Sequence, residues 1–220
     1  GDWYHYLGDL GAIEDNTWYK DAEKLRKILF SPSRSESGFV EICEGEEIPL
    51  RVDLVFPVLH GKNGEDGTLQ GMFELAGIPV VGCGTLSSAL CMDKDRAHKL
   101  ASLAGIAVPK AVTFCRAEEE AAKRTIRKTL SFPVFVKPVR AGSSFGITKV
   151  YGQEQLDAAI ELAFTHDAEV TVEENVCGFE VGCAVMGIDE LTVGRVDEIE
   201  LEQGFFDYTE KYTLKTSKIY

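Results

Sequence analysis

A glycine- and serine-rich segment between two apolar runs most constrains the fold of this chain. Residues 137–149 contain two glycines and two serines between Lys137 and Lys149, and the apolar runs 132–136 and 147–151 flank the loop. This pattern predicts a strand, a glycine-rich loop and a second strand. Glycines let the backbone approach an anion closely, while loop N–H groups and serine hydroxyls can donate to phosphate oxygens. The segment therefore predicts a site for a nucleotide triphosphate, with a ligand-free glycine hairpin as the alternative.

The spacing of this loop excludes a P-loop. A P-loop requires the order G-x-x-x-x-G-K-[ST] and leads into a helix, whereas this segment has another order and leads into a second apolar run. The predicted phosphate loop therefore belongs to a β-hairpin.

The acidic composition limits the classes of partner. The formal net charge is −13, which disfavours nucleic acid and anionic membrane surfaces as nonspecific partners. No apolar run approaches the roughly 18 to 20 residues that span a bilayer, and no secretory signal is evident. The six cysteines are scattered without C-x-x-C pairs, which is typical of small buried side chains. We expect a cytoplasmic protein.

An apolar run followed by a polar loop predicts a substrate edge in the first half of the chain. Residues 52–59 are nearly all apolar, as in a strand buried on both faces of a parallel sheet. The polar, glycine-containing residues 60–67 follow at its carboxyl end, where open α/β sheets bind ligands. The other elements predicted here are helices at 21–29, 68–76 and 85–104, a strand at 78–82, and loops with one short strand over 31–51.

The second half predicts an α+β domain on an antiparallel sheet. Alternating strands and covering helices recur after a linker near residues 105–110. The predicted strands are 111–115, 169–174, 179–187 and 192–201 beside the hairpin, and the predicted helices are 118–130 and 153–164. We therefore expect an α/β and α+β chain divided into an N-terminal parallel-sheet domain (1–108), a central antiparallel-sheet subdomain (109–187) and the start of a C-terminal subdomain (188–220).

Taken together, these motifs resemble the D-alanine:D-alanine ligase family of ATP-grasp enzymes. The similarity runs in register from about residue 52 to 220, and is less specific over residues 1–51. The resemblance implies that ATP lies between two subdomains, phosphorylates a D-alanine carboxylate, and that a second D-amino acid attacks the acyl phosphate. The motifs are at 56–61, 64–67, 70–71, 92–94, 136–138, 142–144, 173–174, 205–208 and 211–212.

The resemblance also implies roles for individual residues. Cations and N–H donors must surround a phosphoryl group in transfer, and the family places lysines and a serine there. Without the resemblance, the lysines are equally explained as solvated side chains and the acids as a charged surface. The implied ATP-binding residues are Lys94, Lys137, Ser144, Glu173, Glu174, Val176, Glu180 and Lys211. The implied catalytic residues are Ser143, Tyr212 and His60.

Two departures from the family pattern concern acidic residues. The family's Mg²⁺ ligands, which can also take Mn²⁺, follow the Phe-Asp-Tyr loop, so we expect metal ligands beyond residue 220 and none within the chain. The glutamate of a glycine-rich N-terminal motif has no counterpart before residue 52. Because phosphoryl transfer from ATP normally needs bound cations, we expect residues 1–220 alone to be catalytically inactive.

Two positions bear on the second substrate. The sequence Phe-Phe-Asp-Tyr at 205–208 has Phe206 where D-alanine-specific relatives usually have tyrosine, and resembles the D-alanine:D-serine ligases of vancomycin resistance. Asp197 also resembles that subgroup and can receive a serine hydroxyl. The resemblance implies a homodimeric enzyme of peptidoglycan precursor synthesis that uses D-Ala and D-Ser. The alternatives are a D-alanine:D-alanine ligase, an ATP-grasp enzyme acting on another carboxylate, and a noncatalytic nucleotide-binding fragment.

Overall fold

The computed structural model describes residues 2–36, 38–201 and 217–219. These residues form two compact units, one comprising the chain up to residue 59 with 63–89, and the other comprising 60–62 with the chain from residue 90. The predicted domain limits at residues 108 and 187 stay a prediction. Within the described ranges, no helix is both long enough and apolar enough to cross a membrane.

The first unit is built on a four-stranded antiparallel sheet in the order β1-β2-β3-β4. Its core contains Ile28, Phe39 and Phe73, and the Phe39 and Phe73 rings meet edge to face with centroids 6.1 Å apart. The elements are β1 (Trp3–Tyr6), α1 (Leu10–Glu14), β2 (Leu25–Ser31), β3 (Gly38–Cys43), β4 (Glu46–Arg51) and α2 (Thr68–Ala76), after which α3 (Thr85–Met92) begins.

Three predictions for the first unit are wrong or not confirmed. Residues 21–29 do not form a helix, because 25–31 pair with both β1 and β3 as the strand β2, and this pairing overrides local helix preference. Residues 31–51 hold two strands as well as the end of β2, where we expected one short strand. The helix predicted at 68–76 is confirmed as α2.

The parallel sheet predicted around residues 52–59 is not confirmed. In the part of the chain that the structure describes, parallel pairing is limited to one bridge between Val55 and Val80, and the strand predicted at 78–82 contributes only that contact. The side chains of Phe56 and Val58 are 69% and 72% exposed. An apolar run therefore marks a buried strand only when neighbouring elements cover both of its faces.

The second unit contains the predicted antiparallel sheet, in the order β5-β8-β6-β7, with α5 and α6 contributing to its core. This confirms the strands and helices predicted over 111–174. A separate antiparallel sheet has the order β11-β10-β9. The elements are α4 (Lys94–Leu103), β5 (Ala111–Cys115), α5 (Glu119–Thr129), β6 (Val134–Pro138), β7 (Thr148–Val150), α6 (Gln153–Phe164), β8 (Glu169–Glu174), β9 (Glu180–Gly187), β10 (Leu191–Leu201) and β11 (Ser217–Ile219).

The single helix predicted over residues 85–104 is wrong, because it is divided at Asp93. Asp93 has an extended backbone (φ −84°, ψ 101°), and its Oδ1 accepts a hydrogen bond of 2.9 Å from the backbone N–H of Arg96. An aspartate in this position caps a new helix. Lys94 is consequently the first residue of α4, and does not lie within a longer helix.

Candidate functional site

The predicted hairpin is present as β6 and β7, which pair antiparallel from Val134 opposite Val150 to Val136 opposite Thr148. Turns close the loop between them: the N–H of Phe145 donates to the carbonyl of Gly142 over 3.1 Å, and the N–H of Ile147 donates to Ser144 over 3.3 Å. The glycine-rich segment is therefore an ordered turn between two strands.

Both serines of this loop have left-handed backbone conformations. The φ angle is 51° at Ser143 and 59° at Ser144, values that non-glycine residues rarely adopt. Gly146 has φ 67°, and a Cβ atom built there would lie 2.5 Å from Cδ2 of His166. Glycine is thus required at position 146, whereas the two serines retain hydroxyl groups at a conformational cost.

A buried ion pair joins the hairpin to the neighbouring strand. In the register of β6 with β8, Phe135 lies opposite Glu173, and Lys137 lies two residues further along the same face. Nζ of Lys137 is 2.6 Å from Oε2 of Glu173, and the Lys137 and Glu173 side chains are 22% and 3% exposed. The Glu173 carboxylate therefore fixes the ammonium group of Lys137 beside the loop.

The second oxygen of Glu173 is available for a further donor. Oε1 is buried and has no hydrogen-bond partner in the described part of the chain. The nearest charged partner is His98, whose Nδ1 is 3.8 Å away, beyond hydrogen-bond distance. A buried acceptor of this kind is suited to an N–H or O–H group of a bound molecule. His98 lies one turn after Lys94 on α4, and that spacing is the only sequence signal for it.

The ammonium group of Lys94 is held by the backbone that follows β6. Nζ of Lys94 donates to the carbonyl of Ala141 over 2.7 Å and to that of Val139 over 3.3 Å. Burial, followed by repulsion from Lys137, lowers the pKa of Lys94 to about 8, although Glu173 and other carboxylates act in the opposite direction. The two lysines are close enough to repel, and an anion between them would relieve that repulsion.

An arginine–aspartate pair fixes the same stretch of backbone. The backbone N–H of Arg140 donates to Oδ2 of Asp167 over 2.6 Å, while its guanidinium reaches Oδ2 at 3.1 Å and Oδ1 at 2.8 Å. Nη2 of Arg140 also lies 2.8 Å from Oε2 of Glu169. The sequence pattern gives no indication of Asp167, because its partner is 27 residues away and no local motif joins them.

The remaining predicted residues are more exposed. The carboxylate of Glu174 accepts a hydrogen bond of 2.8 Å from the backbone of Lys110, so it anchors the residue before β5. Val176 and Glu180 are exposed. Glu180 pairs with Ile199 and Asp197 with Gly182, which places both acids on one face of the β9–β10 pair. His60 is also exposed, and Phe206, Lys211 and Tyr212 lie outside the described residues.

A magnesium site does not form from the residues that the structure describes. Over 2–36, 38–201 and 217–219, no three His, Cys, Asp or Glu side chains are grouped as metal ligands would be. Mg²⁺ needs oxygen ligands arranged around it, and a single carboxylate such as Glu173 does not provide them. The expectation that metal ligands follow residue 220 stays a prediction, and no chemical step is assigned to the metal.

Comparison with known proteins identifies relatives over the whole chain. A model described as the D-ala D-ala ligase N-terminus matches residues 1–83, and a model of the D-ala D-ala ligase C-terminus matches residues 100–220. The vancomycin C-type resistance protein VanC2 of Enterococcus casseliflavus is 43% identical over 219 residues, which is 99% of this chain and 61% of that protein. The D-alanine–D-alanine ligase of Caldicellulosiruptor bescii is 41% identical over 223 residues, with coverage of 100% and 60%.

Solved structures agree with these relatives. The crystal structure of the VanG D-Ala:D-Ser ligase from Enterococcus faecalis is 70% identical, with a TM-score of 0.87 and coverage of 100% of this chain and 63% of that one. A D-alanine-D-alanine ligase from Coxiella burnetii is 28% identical with a TM-score of 0.72, covering 90% of this chain and 58% of that one. The chain therefore spans about three-fifths of the length of these relatives.

Proposed function

The chain belongs to the D-alanine:D-alanine ligase family, and we propose that it provides the nucleotide-binding part of an ATP-dependent D-alanine:D-serine ligase. The observation that carries the ATP site is the convergence of Lys94 and Lys137 beside the serine loop, with a buried acceptor on Glu173. The second substrate is proposed from the 70% identity to a D-Ala:D-Ser ligase.

In the proposed reaction, the γ-phosphoryl group of ATP passes to a carboxylate oxygen of D-alanine, and ADP leaves. The amine of D-serine then attacks the acyl carbon, inorganic phosphate leaves, and D-alanyl-D-serine forms after loss of a proton from the nitrogen. Negative charge accumulates between two anions in the first step, so it needs cations that are already in position. Lys94 and Lys137 are the two cations that the fold holds near the loop.

Glu173 has two functions in this proposal, one for each carboxylate oxygen. Oε2 holds the ammonium of Lys137, and Oε1 accepts from the adenine amine or a ribose hydroxyl. Glu174, Val176, Glu180 and Lys211 complete the proposed nucleotide site: Val176 packs against the base and the others supply polar contacts. Because Glu173 is buried, its geometry is set before the nucleotide binds.

The serine loop has a divided function. Ser144 and neighbouring N–H groups donate to the phosphates, while Ser143, with Tyr212, orients the second substrate. His60 stabilises negative charge near the first substrate. The left-handed conformations at Ser143 and Ser144 turn successive residues of the loop, a geometry in which N–H groups converge on an anion.

The preference for D-serine is assigned to Phe206 and Asp197. The missing hydroxyl at Phe206 removes a polar group from the pocket, and the Asp197 carboxylate accepts a hydrogen bond from the serine side chain. We further propose that the enzyme is a cytoplasmic homodimer, uses Mg²⁺ or Mn²⁺, and supplies peptidoglycan precursors that confer vancomycin resistance, as expected for its relatives.

A competition assay tests this function. The protein encoded by the full open reading frame is incubated with ATP, Mg²⁺ and D-alanine plus equimolar D-serine and D-lactate, and the products are weighed by mass spectrometry. We expect D-Ala-D-Ser to dominate, and the variant Phe206→Tyr to shift the product ratio towards D-Ala-D-Ala by about tenfold. Dominant D-Ala-D-Ala from the unmodified protein would contradict the D-serine assignment. Nucleotide binding without any ADP release would support the noncatalytic alternative.

A further inference from the structure

The Arg140–Asp167 pair lies at the centre of the contacts that hold Lys94. Residue 140 is flanked by Val139 and Ala141, the two residues whose carbonyls accept from the Lys94 ammonium. Asp167 binds residue 140 three times, through the backbone N–H and two guanidinium nitrogens. The same carboxylate therefore restrains both the backbone and the side chain of Arg140.

The Asp167 carboxylate is buried and charged. Its side chain is 7% exposed. Burial raises the pKa of Asp167, but hydrogen bonds from Arg140 and from the backbone outweigh it and hold the pKa below the ordinary value. Oδ1 of Asp167 also accepts from the backbone N–H of Glu169 over 3.3 Å, so the carboxylate is tied to the start of β8. Such bidentate, charge-assisted contacts define geometry as well as energy.

Further contacts join this stretch to the start of α4. The N–H of Val139 donates to the carbonyl of Glu169 over 3.0 Å, and the N–H of Lys94 donates to the carbonyl of Val139 over 3.2 Å. From the helix, Nη1 of Arg96 is 2.5 Å from the capping carboxylate of Asp93 and 3.8 Å from that of Glu169. A continuous set of hydrogen bonds and ion pairs therefore runs from Asp167 to the ammonium of Lys94.

We infer that Arg140 and Asp167 are positioning residues that act through Lys94, by fixing the two carbonyls that aim its ammonium group at the ATP phosphates. This inference rests on the proposed function of Lys94. Loss of the pair would leave the Lys94 side chain in place but poorly aimed, and small misplacements of a charged group reduce its interaction substantially.

Kinetics of the full-length protein with Asp167→Asn and Arg140→Gln test the inference. We expect the KM for ATP to rise by about tenfold with kcat changed less than threefold, because an interaction used equally in the ground and transition states affects KM alone. Arg116→Gln is the matched control, since it removes another bidentate arginine–carboxylate pair of this unit, with Glu161. We expect its KM for ATP to stay within twofold of the unmodified value. A merely structural role for Asp167 would instead lower kcat, through loss of folded protein, and leave KM unchanged.

A double-mutant cycle separates action through Lys94 from any other effect. If Asp167 acts through Lys94, Asp167→Asn changes the KM for ATP by less than twofold in the background of Lys94→Ala. A full tenfold effect in that background would overturn the inference. Failure of the unmodified protein to bind ATP would overturn the proposed function, and is distinguishable because it precedes any comparison of variants.

Discussion

The two sheets of the second unit contain similar valine-rich strands but differ in what covers them. In the sheet β5-β8-β6-β7, Val136 and Val172 are fully buried in a core shared with α5 and α6. In the sheet β11-β10-β9, Val185 and Val193 are 59% and 65% exposed. Strand sequence alone is therefore compatible with both situations, and the covering helices make the difference.

This difference divides the predicted nucleotide site into two parts. Lys137 and Glu173 lie on the covered sheet, where each has a defined partner. Glu180 and Asp197 lie on the exposed strands β9 and β10. Burial lowers the effective dielectric constant and strengthens polar contacts, so the covered part is organised before a ligand binds. Three experiments, in decreasing order of expected effect, test whether this division holds.

The largest effect is expected from removing core volume under the covered sheet. Ile160 of α6 is fully buried, whereas Ile188, between β9 and β10, is 93% exposed. We expect Ile160→Ala to lower the free energy of unfolding by about 3 to 4 kcal/mol through lost transfer energy and a cavity. Ile188→Ala, with the same chemical change, is expected to stay within about 0.5 kcal/mol. Urea unfolding followed by circular dichroism measures both, and equal losses would mean that the exposed sheet is also packed.

A smaller loss is expected from breaking the buried ion pair. Lys137→Met leaves the Glu173 carboxylate buried without its cation, and we expect a loss of about 3 kcal/mol in unfolding free energy. Glu180→Gln is the comparison on the exposed strands, with an expected change within about 0.5 kcal/mol. Urea unfolding again provides the measurement. A stable Lys137→Met protein would show that Glu173 is readily solvated, and would weaken the distinction between the two parts.

The smallest effect concerns pH. Because the pKa of Lys94 is lowered to about 8, its cationic form predominates below that pH and is lost as pH rises through 8. Lys137, Glu173, Asp167 and Asp93 are the charged groups that face it. We expect the Kd for ATP to increase by about tenfold between pH 7.5 and 9.5, since binding then requires uptake of a proton.

Isothermal titration calorimetry at several pH values measures this dependence. Lys94→Arg is the control, because a guanidinium stays charged throughout the range and its Kd is expected to change less than threefold. An equally steep dependence in Lys94→Arg would assign the titration to another group.

The elements that the sequence predicts correctly are those whose burial is decided locally. The helix at 153–164 has an apolar stripe, and the structure confirms it with Leu156 and Ile160 buried. The hairpin is confirmed for a similar reason, because its loop chemistry and flanking strands agree. The same segment, together with the family resemblance, led to Lys137 and Glu173, which the structure brings into contact.

The elements that the sequence does not predict depend on distant partners. The strand β2 was interpreted as a helix because its pairing with β1 and β3 is not visible locally. The helix break at Asp93 depends on one side chain that competes for a backbone N–H, a choice that apolar spacing does not report. Asp167 was missed because its function arises from contact with Arg140, across 27 residues.

The left-handed serines of the loop have a consequence for directed evolution. A non-glycine residue in this conformation costs about 1 kcal/mol relative to glycine, so a glycine at position 143 or 144 would stabilise the fold. The same substitution would delete a hydroxyl proposed to contact substrate. Selection of Ser143 and Ser144 variants for heat resistance alone would therefore enrich glycine and produce a more robust protein with weaker chemistry. A screen that rewards turnover together with survival would retain both serines.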